Sequence, residues 1–165
     1  MELKNSQNAW NFIFSLLFVS LLGGAGFLLF RKHGSLPQSI PLADFLLITL
    51  ATFRLTRLFV YDKITRWLRD MFTDKREAKV EGVVFVERIE FLDGPRRTIS
   101  DLLSCPWCIS VWFALLLTFL YFLSPLAWFF ILVLAISGLG ALLQLSANMI
   151  GWSAEYRKLA TKEKE

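Results

Sequence analysis

The chain has 165 residues, of which 55% are hydrophobic, 15% aromatic and only 19% charged, with a net charge of +4 and a mean hydropathy of +0.51. Such a balance excludes a soluble domain and a disordered chain, and two Cys are too few for a disulfide framework. Nine of the eighteen Lys and Arg fall within residues 62–104, so the positive charge belongs to loops and tails rather than to a nucleic-acid-binding face, and the composition points to an integral membrane protein.

The first apolar run, Trp10 to Phe30, holds no ionisable side chain, and its 21 residues rise about 30 Å as a helix, the thickness of the hydrocarbon core. A cleavable signal peptide is the competing reading, because Gly23, Gly24, Ala25 and Gly26 resemble a small-residue cleavage site. The apolar run continues past them and the preceding segment carries one Lys against one Glu, which favours a retained span. After an outer loop at 31–40, residues 41–61 read PLADFLLITLATFRLTRLFVY, long enough to cross but marked by Asp44, Arg54 and Arg57. Arg54 lies near the middle of this second span and needs polar company; Gln144 and Asn148, one turn apart on the last span, are the expected partners of Arg54 or Arg57, with Asp62 nearby.

Residues 54–72 place Arg54, Arg57, Tyr61, Thr65 and Arg69 on one helical side, so the helix is expected to leave the membrane and bend along its surface. Asp62 with Arg66 and Arg66 with Asp70 form four-residue acid–base pairs. A basic interfacial helix of this kind attracts anionic lipid head groups, although snorkelling side chains at a positive-inside stop signal account for the same residues. A charged turn is expected at Asp74 to Glu77. The segment that follows, with Val80, Val86, Ile89 and Phe91 in partial alternation, suggests a short strand-like insert ended by a turn at Asp93, Gly94 and Pro95.

The third span runs from 106 to 123, closed by Ser124 and Pro125, and the fourth from 126 to 152, forming a helical hairpin with an uncharged turn. Ser20 with Gly24 and Ser137 with Ala141 are small-residue pairs suited to close helix contact. With four spans, the tails 1–9 and 153–165 and the loop 62–104 share one side and carry fourteen Lys and Arg, against two, Arg31 and Lys32, on the other. The positive-inside rule then places both termini in the cytoplasm. Trp10, Trp107 and Trp152 at inner ends and Tyr121 and Trp128 at outer ends agree with an aromatic belt. The expected fold class is therefore an all-α membrane protein of four transmembrane helices, whose cytoplasmic loop holds an amphipathic helix and a short β segment.

Most catalytic templates fail on inventory: His33 is the one His, and no phosphate-binding glycine loop or zincin motif is present. The constellation that stands out is SCPWCISVW. Pro106 fits the first helical position, which makes Cys105 the N-cap and places Cys108 in the first turn, where free amide N–H groups stabilise a thiolate. Three readings are open. A redox-active dithiol is suggested by the spacing and by a four-span plan similar to that of membrane enzymes that make disulfides with quinones, although those work on the outer face with a second Cys pair. A zinc site would need an oligomer to supply four thiolates. The third reading is a reduced, partly buried structural pair, in keeping with a reducing compartment.

RLTRLFVYDKIT followed by LLSCPWCISVW resembles the signature of a bacterial and phage family of small membrane proteins known as domain of unknown function 1360, over about residues 42–145. The resemblance falls on Arg54, Arg57, Asp62, Cys105, Cys108 and Trp112, with Ser110 where the family usually has Gly, and it implies a location in the bacterial cytoplasmic membrane but no activity. The leading expectation is a non-enzymatic scaffold or interaction protein presenting its 62–104 loop, without a cofactor. The alternatives are a thiol redox or thiolate-metal protein using Cys105 and Cys108, and a phage holin-like protein. Expected partners are the lipid bilayer and its anionic head groups, and a second copy or another membrane protein, with no nucleic acid.

Overall fold

The computed structural model describes residues 2–37, 39–80, 83–89, 91 and 93–162, with the side chains of 2–5, 74–80, 83–89 and 159–162 outside the description. The expected alternation of Val80, Val86 and Ile89 concerns side chains among the latter, and the end of the expected tail, 163–165, lies outside the described residues. The elements in order are α1 (Glu2–His33), α2 (Leu42–Val60), a single 3-10 turn (Lys63–Thr65), α3 (Arg66–Asp70), β1 (Asp74–Val80), β2 (Val83–Ile89), α4 (Pro95–Ser104), α5 (Pro106–Leu123) and α6 (Leu126–Lys162).

Among the described residues three segments are long and apolar enough to cross a membrane: Ser6–His33, Pro106–Leu123 and Leu126–Lys158. The expectation of four such spans is corrected to three, because α2 carries Asp44, Arg54 and Arg57 within its 19 residues. Helix α2 nonetheless packs most extensively of all, against α6 and α5, and the core forms on it: Ile48 and Ala51 of α2 meet Leu117 of α5 and Ile131 and Ala135 of α6. At Gly138 the two backbones approach so closely that an added Cβ would collide with the carbonyl oxygen of Leu50 and lie 3.3 Å from Arg54 Cβ. Neither glycine-or-serine pair singled out in the sequence includes this residue, and a Cβ added at Gly24 would meet nothing within 4 Å.

The ends of the bundle are tied by polar contacts. Tyr121 Oη donates to Asp44 Oδ2 at 2.6 Å, which sets the start of α2 beside the end of α5. On the same level, Lys32 Nζ donates to the Leu123 carbonyl and His33 Nε2 lies 3.1 Å from the Phe122 carbonyl, placing the basic end of α1 over the negative pole of α5. At the other end Gln7 Nε2 donates to Thr98 Oγ1 at 2.9 Å and to Asn11 Oδ1 at 3.1 Å, joining α1 to α4. Helices α1 and α5 therefore run parallel, and α2 and α6 run opposite to them.

The bend expected within the helix over 54–72 is a full break. Helix α2 stops at Val60, Asp62 is extended (φ −73°, ψ 146°), and only the 3-10 turn and the five-residue α3 follow. Arg69 explains the break: its guanidinium donates to the Phe59 carbonyl at 2.5 Å and to the Asp62 carbonyl at 2.8 Å, while Thr65 Oγ1 donates to the Leu58 carbonyl. These groups satisfy carbonyls that the end of a helix leaves open. Asp74 to Glu77, expected as a charged turn, belongs to β1, which pairs antiparallel with β2 from Asp74 opposite Ile89 to Val80 opposite Val83. The two strands form a two-stranded sheet of their own.

Helix α4 was not anticipated; the sequence read its residues as the end of the loop. Its start is legible in hindsight, because Gly94 adopts φ 95°, a conformation that costs a glycine little, and Pro95 occupies the first helical position. Cys105, extended at φ −106° and ψ 104°, separates α4 from α5, as the residue before Pro106 should.

Candidate functional site

Pro106 at the first helical position makes Cys105 the N-cap of α5, and the Cys108 N–H donates to Cys105 Sγ at 3.2 Å. The two Cys are joined in a disulfide, with Cα atoms 5.3 Å apart. This corrects the expected reduced pair. The spacing of three residues across one helical turn, begun by an extended N-cap, brings the two sulfurs within bonding distance. It also changes the zinc reading, since disulfide sulfurs are not thiolate donors and a metal would require prior reduction. Among the described residues no group of three or more His, Cys, Asp or Glu is placed to hold a metal ion.

Cys105 is half-buried and Cys108 exposed. Both line a cleft of about 510 Å3 between α1, α4 and α5, which has Asn11, Thr98 and Asp101 as polar members and the apolar side chains Phe18 and Trp112 deeper in. Phe18 and Trp112 meet edge to face with centroids 5.1 Å apart. Asn11 Oδ1 accepts from Gln7 and from Thr98 Oγ1 (3.1 Å), which fixes its amide at the cleft.

The second constellation surrounds Arg54. Its Nη1 donates to Asp62 Oδ2 at 2.9 Å and its Nε to Ser137 Oγ at 2.8 Å, so one guanidinium links α2, the chain break after it and α6. Ser137, which the sequence read as a packing residue, supplies the α6 contact. Gln144 and Asn148 do not join this group: Gln144 Nε2 donates to Asn148 Oδ1 at 3.0 Å, and both face outward. Asp62, drawn to Arg54, is not paired with Arg66, which approaches Asp70 at 3.9 Å. Arg57 stands apart, its guanidinium 5.5 Å from the centre of the Tyr61 ring. Ser110 Oγ donates to the Trp107 carbonyl at 3.0 Å and lines a second cleft, together with Arg57 and Tyr61.

Comparison with known proteins places the chain among proteins without an assigned activity. It is 39% identical over 100 residues to a protein named Sporulation protein YjcA from Bacillus subtilis (strain 168), covering 59% of this chain and 85% of that relative. It is 33% identical over 106 residues to UPF0713 protein YngL of the same organism, covering 64% of this chain and 78% of that relative. No solved structure matches the chain. The matched family is described as Protein of unknown function (DUF1360), and the match spans residues 47–147, from the core of α2 through the disulfide to the middle of α6. The chain, three of whose described helices are long and apolar enough to cross a membrane, belongs to this family.

Proposed function

We propose that this chain exchanges dithiol and disulfide at Cys105 and Cys108, at the membrane surface on the side of its 62–104 loop. The observation that carries the reading is the disulfide across the first turn of α5 with Cys108 exposed. A thiolate of a protein dithiol attacks Cys108 Sγ; the Cys105–Cys108 bond breaks, and Cys105 leaves as a thiolate stabilised by the Cys108 N–H and the open amides of the helix start. The second thiol of the partner, deprotonated, then attacks its own sulfur in the mixed disulfide and expels Cys108. Two electrons pass to the pair, and the partner dithiol gives up two protons as its own disulfide forms.

The setting we propose is the bacterial cytoplasmic membrane with both termini in the cytoplasm, supported by the fourteen Lys and Arg on the loop side against two on the other. In this arrangement α2, too charged to be an apolar span by itself, is carried through the bundle by its neighbours: its start meets the end of α5 and Phe59, near its end, packs on Phe113 of α5 with centroids 5.0 Å apart. A disulfide facing a reducing compartment is a working one, since structural disulfides rarely persist there. Equilibrating the purified full chain in detergent with dithiol buffers, then trapping free thiols, tests the exchange. A reversible two-electron transition between about −270 and −120 mV is expected, whereas a potential below about −300 mV marks a structural disulfide and would overturn the proposal.

A scaffold role is the second reading, favoured by α6, whose last turns project beyond the core with Met149, Ile150, Trp152 and Tyr156 each at least 67% exposed. Cys105→Ser separates the two: it abolishes exchange in the first and leaves a scaffold assembled in the second.

A further inference from the structure

We infer that the cleft between α2 and α5 binds an anionic phospholipid, with its phosphate on Arg57. The cleft has a volume of about 460 Å3 and runs from Tyr61, Arg57 and Trp107 at its mouth past Thr56 and Thr52 to Thr49. From Arg57 to Thr49 is eight residues of helix, about 12 Å along the axis toward the middle of the bundle.

Charge is unevenly placed along this length. The three basic residues of the α2–α3 segment that face the protein have different fates: Arg54 is matched by Asp62 and Ser137, and Arg69 by backbone carbonyls. Arg57, among the described residues, has only the Tyr61 ring face, which accepts none of its N–H donors in a hydrogen bond. Its planar set of donors is thus open at the mouth, suited to two oxygens of one phosphate. Exposed Lys63 follows just beyond the end of α2 and adds to the positive potential.

Deeper in, donors disappear. Thr49, Thr52 and Thr56 each donate their hydroxyl hydrogen to a carbonyl one turn back, those of Phe45, Ile48 and Thr52, at 2.8 Å. What remains for an occupant is methyl groups, the Phe53 ring and hydroxyl oxygens that can only accept. A small soluble anion would fill only the mouth, whereas a molecule with an anionic head and an acyl chain matches both ends. Trp107, 84% exposed, and Tyr61, 58% exposed, flank the head position as aromatic side chains do at the level of lipid head groups. The inference uses neither Cys and stands or falls independently of thiol exchange.

The test is native mass spectrometry of the purified full chain titrated in micelles with phosphatidylglycerol, phosphatidylcholine or inorganic phosphate. The expected result is one phosphatidylglycerol retained at least about tenfold more tightly than phosphatidylcholine, weakened about tenfold by Arg57→Gln and less by Arg57→Lys. Ser110→Trp, which fills the cleft from α5 and keeps Arg57, should weaken it similarly and covers the case in which Arg57→Gln does not fold. Equal retention of the two lipids, unchanged binding in Ser110→Trp, or displacement of phosphatidylglycerol by millimolar inorganic phosphate would each overturn the inference, the last in favour of a soluble anion site.

Discussion

Replacing Gly138 by Ala perturbs the point where α2 and α6 meet most closely. The added methyl would lie 3.2 Å from the Leu50 carbonyl carbon and 3.3 Å from Arg54 Cβ, and would collide with the Leu50 oxygen. Two of these three neighbours are backbone atoms of a helix and cannot rotate away, so the axes must separate by on the order of 1 Å to restore ordinary contact at about 3.5 Å. The opening spreads along the core layer of Ile48, Ala51, Ile131 and Ala135, where Ala51 and Ala135 are at most 1% exposed and have no slack. Overpacking of this kind costs about 1–3 kcal/mol, against which the better helix propensity of Ala returns less than about 1 kcal/mol. Gly140, two residues on, is the internal control: an added Cβ there meets nothing within 4 Å, so Gly140→Ala should be neutral or stabilising. Equilibrium unfolding in mixed micelles, read by circular dichroism, measures both. If Gly138→Ala were as stable as Gly140→Ala, the described α2–α6 contact would be wrong.

Arg54→Leu should destabilise the protein by about 1–3 kcal/mol, because it strands the half-buried Asp62 carboxylate, and a double-mutant cycle with Asp62→Asn should recover about 1 kcal/mol of coupling; additive losses would show that the pair does not interact. Arg69→Ala removes the guanidinium that holds the Phe59 and Asp62 carbonyls and should cost about 1–2 kcal/mol, with faster amide exchange confined to the last turn of α2, whereas exchange spread evenly over α2 would contradict the capping role. Tyr121→Phe deletes the hydrogen bond to Asp44 and should cost about 1 kcal/mol by the same unfolding measurement; no change would place that bond outside the folded ensemble. A reporter fused after Glu165 should be active in the cytoplasm, and activity outside the membrane would reverse the orientation.

What a chain's own sequence can decide is what depends on neighbours in sequence. Helices α1, α5 and α6 follow from uninterrupted apolar runs; the break at Ser124 and Pro125 and the N-cap at Cys105 follow from the chemistry of proline, and all are in place. Even the end of α1 agreed only approximately, since helix continues to His33, where its basic residues cap α5. The partner of Arg54 was not legible, because it depends on how far α6 is rotated and shifted against α2. That rotation is set by Gly138, which brings Ser137 to Arg54 and leaves Gln144 and Asn148 outward to bond each other. A bend after α2 was legible, but not that it is a break: Arg69 looked like one more residue of a basic stripe until its approach to the Phe59 and Asp62 carbonyls showed that it closes the end of the helix. The Cys pair shows both sides at once. Spacing fixed its place on the first turn, while the extended backbone at Cys105, held between α4 and α5, decided that the two sulfurs meet as a disulfide.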